Sequence, residues 1–113
     1  MVRFQRRPQK YNNQPRIVDG IRFDSTAEAE FYKLLKSDSA VDHVDCHVKT
    51  TLPEGLTLNV DFLVYYKTGT VEALEVKGIE TRDFKLKRKL FDQTHPLAPL
   101  KVFKKQGSKW VNL

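Results

Sequence analysis

Asp61 lies in the apolar run 57–66, and Glu75 and Lys77 stand two positions apart in the run Leu74-Glu75-Val76-Lys77-Gly78. Side chains two apart on a strand share a face, so Glu75 and Lys77 project together. A carboxylate on one strand, beside an acid and a lysine on the next, can hold a divalent cation next to an ammonium group. That combination suits phosphodiester hydrolysis, in which the cation activates water and the lysine positions it or offsets the charge on the pentacovalent phosphorus. Unpaired carboxylates on apolar sheet faces are costly to bury, and a shared cation removes the cost. Mg²⁺ takes six oxygen ligands, so Asp61, Glu75 and the carbonyl of Val76 leave positions for water and a phosphate oxygen. A competing reading is a plain cross-strand ion pair between Lys77 and either acid. Two features favour the metal: both acids come late in their strands, and Gly78 and then a basic segment follow directly.

The elements that must position these groups can be read along the chain. Asp19-Gly20 between two short β-prone runs predicts a tight hairpin over residues 16–23. Ser25 with Glu28 three positions on forms a capping box, predicting a helix to about Lys36 whose buried stripe is Ala27, Phe31, Leu34 and Leu35. Glu28 and Glu30 border that stripe, and either can supply a third acid, with Glu28 preferred. Strands are expected over 44–52, 57–66 and 70–77, with a turn at Pro53-Glu54-Gly55. Strict alternation places Asn59, Asp61, Leu63 and Tyr65 on one face, and Val60, Phe62, Val64 and Tyr66 on the other. Thr81 caps a second helix to about Gln93, Pro96 and Pro99 follow it, and strands resume at 100–103 and 110–113. The order predicts an α/β (α+β) fold, a mixed central sheet flanked by helices and preceded by a β-hairpin.

Charge divides sharply along the chain. Residues 1–18 carry +5, residues 19–80 carry −6, residues 81–99 carry +3 and residues 100–113 carry +4. An acidic centre between basic ends fits a metal site bordered by phosphate contacts. Residues 1–15 read as a flexible basic arm in which Arg6 and Arg7 meet DNA backbone and Phe4 and Tyr11 stack on exposed bases. Residues 16–113 read as a single domain. On the second helix, Lys85, Arg88 and Lys89 occupy the outer face and suit phosphate contacts. Lys87 falls within the arc of Phe84, Leu86, Leu90 and Phe91, either snorkelling past the core or reaching into the cleft beside Lys77, where it would bind DNA by gripping the scissile or adjacent phosphate.

Other classes are disfavoured. There is no membrane-length apolar run and no Gly-rich phosphate loop, and the basic, polar start does not resemble a signal peptide. A lone Cys46 suits a reducing, cytoplasmic setting, and His43, His47 and His95 lack metal-ligand spacing and read as ordinary residues.

The segments FDSTAEAEFYKLLK, VDFLVYY, EALEVKG and TRDFKLKRKLF resemble the PD-(D/E)XK nuclease superfamily, in particular small phage-type Holliday-junction resolvase-like endonucleases. The resemblance covers residues 19–91, and Val60 stands where the motif often has proline. It implies a restriction-endonuclease-like core, a catalytic set of Glu28, Asp61, Glu75 and Lys77, dependence on Mg²⁺ or Mn²⁺, and a homodimer acting on four-way DNA junctions. Alternatives are a nickase or exonuclease of the same superfamily, and a nucleic-acid-binding module whose acids only brace the fold.

Overall fold

A computed structural model of the protein describes residues 14–113, so Phe4, Arg6, Arg7 and Tyr11 of the expected arm lie outside the described residues. Strands β1 (Arg16–Val18) and β2 (Ile21–Phe23) pair antiparallel across Asp19 and Gly20, whose φ angles are 53° and 77°. Two successive positive φ values define the hairpin turn that Asp-Gly favours. Helix α1 (Thr26–Ser37) starts where Ser25 Oγ accepts the Glu28 N–H at 3.1 Å.

The buried face of α1 is Glu28, Phe31, Tyr32 and Leu35 with Ala29, whereas Leu34 is 52% exposed. This corrects the expected stripe of Ala27, Phe31, Leu34 and Leu35. The rotation follows from the hairpin, since Tyr32 Oη donates to Asp19 Oδ2 at 2.9 Å and the Tyr32 ring packs 5.0 Å from that of Phe23. A helix-only pattern contains no information about that docked turn.

Five strands follow: β3 (Val41–Thr51), β4 (Thr57–Tyr66), β5 (Val71–Val76), β6 (Leu100–Gln106) and β7 (Lys109–Asn112), with helix α2 (Arg82–Thr94) between β5 and β6. They lie side by side in chain order. The first three form an antiparallel meander, the α2 crossover makes β5 and β6 parallel, and β7 returns antiparallel at the edge. The fold is therefore a mixed sheet with a helix packed on each face, α1 over Phe62, Val64 and Leu74, and α2 over Val60, Ala73, Leu100 and Val102. Phe62 is fully buried, its ring 5.9 Å from Phe31 and 6.1 Å from Phe23.

Val60 and Phe62 belong to opposite cores, so the expected strict alternation along β4 is corrected: the strand changes face at Asp61. Two irregularities cause it. Pairing with β3 passes from Cys46↔Phe62 to Val48↔Val60, leaving His47 and Asp61 unpaired, with His47 at φ 56°. On the other side the ladder to β5 runs no further than Phe62↔Leu74. Asp61 thus sits outside both ladders.

Candidate active site

Beyond Phe62↔Leu74, the register would bring Asp61 opposite Glu75. Instead of exchanging backbone bonds, the strands exchange side chain for backbone. The Asp61 N–H donates to Glu75 Oε1 at 3.0 Å, and the Val76 N–H donates to Asp61 Oδ2 at 2.8 Å. Each carboxylate so satisfies an amide of the other strand, and the sheet forks at the two acids. Asp61 is half-buried and Glu75 is 3% exposed.

Lys77 follows directly after β5, its backbone N–H donating to the Phe103 carbonyl at 2.9 Å. Its ammonium lies 3.6 Å from Glu75 Oε2 and 4.5 Å from the centre of the Phe84 ring. Phe84 occupies the first turn of α2, whose N-terminus is set by Thr81 Oγ1 accepting the Phe84 N–H at 3.1 Å. The cap therefore fixes the ring on which the lysine rests.

Glu28 does not complete the expected capping box. Its side chain turns inward, with Oε2 2.8 Å from His47 Nε2, and it is 7% exposed. Glu30, the other candidate for the third acid, is paired with Lys105. Of the two, Glu28 is the acid whose charge bears on both Asp61 and Glu75.

Burial pushes the Asp61 carboxyl well above the ordinary range, and the charges of Glu75 and Glu28 push it further against the opposing Val76 N–H and Lys77. Burial likewise raises Glu75, more than the Asp61 N–H and Lys77 lower it, with Glu28 adding to the rise. Glu75 is paired with Lys77 and Glu28 with His47, whereas Asp61 has no ion-pair partner among the described residues. The Cys46 thiol is pushed up to about 11 by burial and then by the Glu28, Asp45 and Asp61 charges, so it is no nucleophile near neutral pH.

Glu28, Asp61, Glu75 and Lys77 line a cleft of about 1210 Å³ between the start of α1 and the fork. Val76, proposed from sequence as a carbonyl ligand, lines it as well, as do Lys104 and Lys105. Lys104 has no ion-pair partner among the described residues.

The donors suit a hard divalent cation in kind: all are oxygens, three of them from carboxylates, and Asp61 Oδ1 and Glu28 Oε1 have no hydrogen-bond partner among the described residues. Among those residues no three acid, His or Cys side chains already converge as a metal-binding group, so a cation would draw the carboxylates together on binding.

The second helix departs from expectation. Leu86 is 51% exposed, and Lys87 pairs with Asp83 Oδ2 at 3.3 Å instead of lining the cleft. Arg88 is not a free outer-face group: it donates to Glu80 Oε2 at 3.1 Å and to the Leu113 carbonyl at 2.8 Å, tying α2 to the chain end beyond β7. Lys85 and Lys89 are exposed as expected. Arg88→Met is expected to destabilise the protein by about 1–3 kcal/mol, because it orphans a half-buried carboxylate. Lys87→Met is expected to leave cleavage and DNA affinity at wild-type levels; chemical denaturation and a binding titration check the pair.

His47, read from the sequence as an ordinary residue, is the neighbour of the candidate site that sequence reasoning missed. Lys104 and Lys105 were missed too. They lie 27 or more positions after Lys77, and only the parallel β5–β6 pairing, with Val76 beside Phe103, brings them to the cleft.

A family model described as a protein of unknown function (DUF1064) matches residues 8–111. No curated protein and no solved structure matches the chain.

Proposed function

The chain belongs to the DUF1064 family, whose description names no activity, and from the chemistry of its cleft we propose that it is a metal-dependent DNA endonuclease of the PD-(D/E)XK type. One observation carries this reading: Asp61 and Glu75 oppose each other at a fork in the sheet, each accepting an amide of the other strand, with Lys77 beside them and both carboxyls pushed up by burial. The order of the groups along the chain, a helix acid followed by a strand acid and then an acid-x-Lys strand, is also that of the resembling superfamily.

Asp61, Glu75 and Glu28, with the Val76 carbonyl, are the residues that would hold Mg²⁺ or Mn²⁺. Bound there, the cation supplies Lewis acidity towards a phosphoryl oxygen and makes an attacking water easier to deprotonate. Lys77 holds that water or offsets charge as the phosphorus becomes five-coordinate, its stem fixed over Phe84. Lys104 and Lys105 offer contacts to the neighbouring backbone phosphates, which fix register without reading bases. A small domain with this cleft suits recognition by shape. We therefore assign branched DNA, four-way junctions first, as the substrate, cut by a homodimer in the cytoplasm. Among the described residues no helix is long and apolar enough to cross a membrane.

The test is incubation with a four-way junction, a linear duplex and a single strand, each with Mg²⁺, Mn²⁺ or chelator. Metal-dependent incision, strongest on the junction and paired across it, is the expected result. A second reading, a nucleic-acid-binding module, draws on the direct Lys77–Glu75 contact and on carboxylates not yet converged. Binding without incision under every metal would establish it instead.

A further inference from the structure

His47 occupies a position that strand geometry does not explain. It sits mid-strand in β3 at φ 56°, a left-handed conformation that is uncommon for any residue but glycine, and the pairing with β4 lapses there. Strain of this kind persists where the surroundings impose it and clusters at functional sites. Here its effect is specific. The turn of the backbone directs the imidazole at α1, where Nε2 meets Glu28 Oε2 at 2.8 Å, and the ring packs 5.5 Å from Phe23. A carboxylate oxygen only accepts, so Nε2–H donates. Glu28 has an alternative partner close by, the Ser25 N–H that a capping box would use, yet its side chain is buried beside Asp61 and Glu75 instead.

We propose that His47 is a positioning residue that holds Glu28 as the third carboxylate of the cation site. This rests on the metal-site reading above and deepens it by explaining why Glu28, and not Glu30, serves. Glu30 is held apart by Lys105, whereas the His47 bond fixes one oxygen of Glu28 and leaves Oε1 for a cation. Partners that orient a ligating carboxylate typically contribute about 10–100-fold to metal affinity.

The experiment measures Mn²⁺ affinity by titration calorimetry on the full chain, with Tm recorded for each variant. His47→Gly removes the imidazole and suits the positive φ, so the variant keeps its fold while Mn²⁺ affinity falls about 10–100-fold. His47→Gln carries a donor near the Nε2 position and restores affinity to within about threefold of wild type. If His47→Gly binds Mn²⁺ as tightly as wild type while Glu75→Gln does not bind it, His47 has no positioning role and the metal site stands. If the wild-type protein itself binds no Mn²⁺, the metal-site reading fails and takes this assignment with it. A fall in affinity that His47→Gln does not restore also overturns the hydrogen-bond role.

Discussion

Glu75→Gln and Lys77→Met are each expected to reduce Mg²⁺-dependent incision of a four-way junction by roughly 10³-fold, about 4 kcal/mol of barrier, while each variant still folds cooperatively. The substitutions are chosen so that packing survives. In Glu75→Gln the side-chain amide still offers an oxygen to the Asp61 N–H that Glu75 Oε1 accepts at 3.0 Å, so the fork in the sheet is kept. In Lys77→Met a long apolar stem remains over the Phe84 ring, against which the ammonium now lies at 4.5 Å. What each loses is charge. Glu75 contributes a ligand charge to the cation, and Lys77 contributes the nearest positive group to the reacting phosphate. Binding of the junction should be nearly unaffected, since Lys104 and Lys105 are untouched. Single-turnover rates on a labelled junction, with Tm alongside, measure the effect. Two variants that fold normally and cut at the wild-type rate would remove the fork from any catalytic role.

Much of this site was legible because its members lie on strongly patterned segments. The run 57–66 reads as a strand from its β-branched and aromatic residues, and β4 spans those same positions. Acid-x-Lys spacing by itself places Glu75 and Lys77 on one side of β5. The opposition of Asp61 and Glu75 follows only from the hairpin register, which the short turn at Lys67-Thr68-Gly69 makes readable.

The unreadable part is what long-range contacts decide. Leu34 and Leu86 are apolar residues left exposed, because the hairpin and the edge of the sheet dictate which side of each helix is covered. Lys87 and Arg88 are adjacent basic residues with the same local signal. One meets Asp83 within its own helix, and the other meets a carbonyl 25 positions away. His47 is the sharpest case. Nothing local forecasts a left-handed residue inside an apolar strand, and the positive φ coincides with the lapse of the β3–β4 pairing opposite Asp61. Propensity describes what a segment prefers alone, and at this site the tertiary arrangement overrides it.

The same burial that marks the acids makes a thermodynamic prediction. In the fold Asp61 is pushed up to about 8 and Glu75 to about 7, from ordinary values of 3.8 and 4.5. Between roughly pH 4 and pH 8 these two groups therefore bind more protons in the fold than in the unfolded chain, and their contribution to stability falls as pH rises through that window. The sign is opposite to that of a salt-bridged carboxylate, whose contribution is lost on acidification. In chelator, Tm at pH 8.5 is expected to lie below that at pH 5.5 by at least about 10 °C. Mg²⁺ or Mn²⁺ binds the ionised carboxylates, so it should restore stability at pH 8.5 by about 2.7 kcal/mol at a hundred times its dissociation constant, and do little at pH 5.5. Asp61→Asn separates burial from charge. Its oxygen still accepts the Val76 N–H now given to Oδ2 at 2.8 Å, while the largest buried titration is gone. That variant should melt higher than wild type at pH 8.5 in chelator, show a shallower pH slope and gain little from metal. Calorimetric melts of both proteins at the two pH values, with and without cation, decide it. A flat wild-type profile would mean that the acids are compensated in the metal-free fold, and the case for a cation at the fork would lose its physical basis.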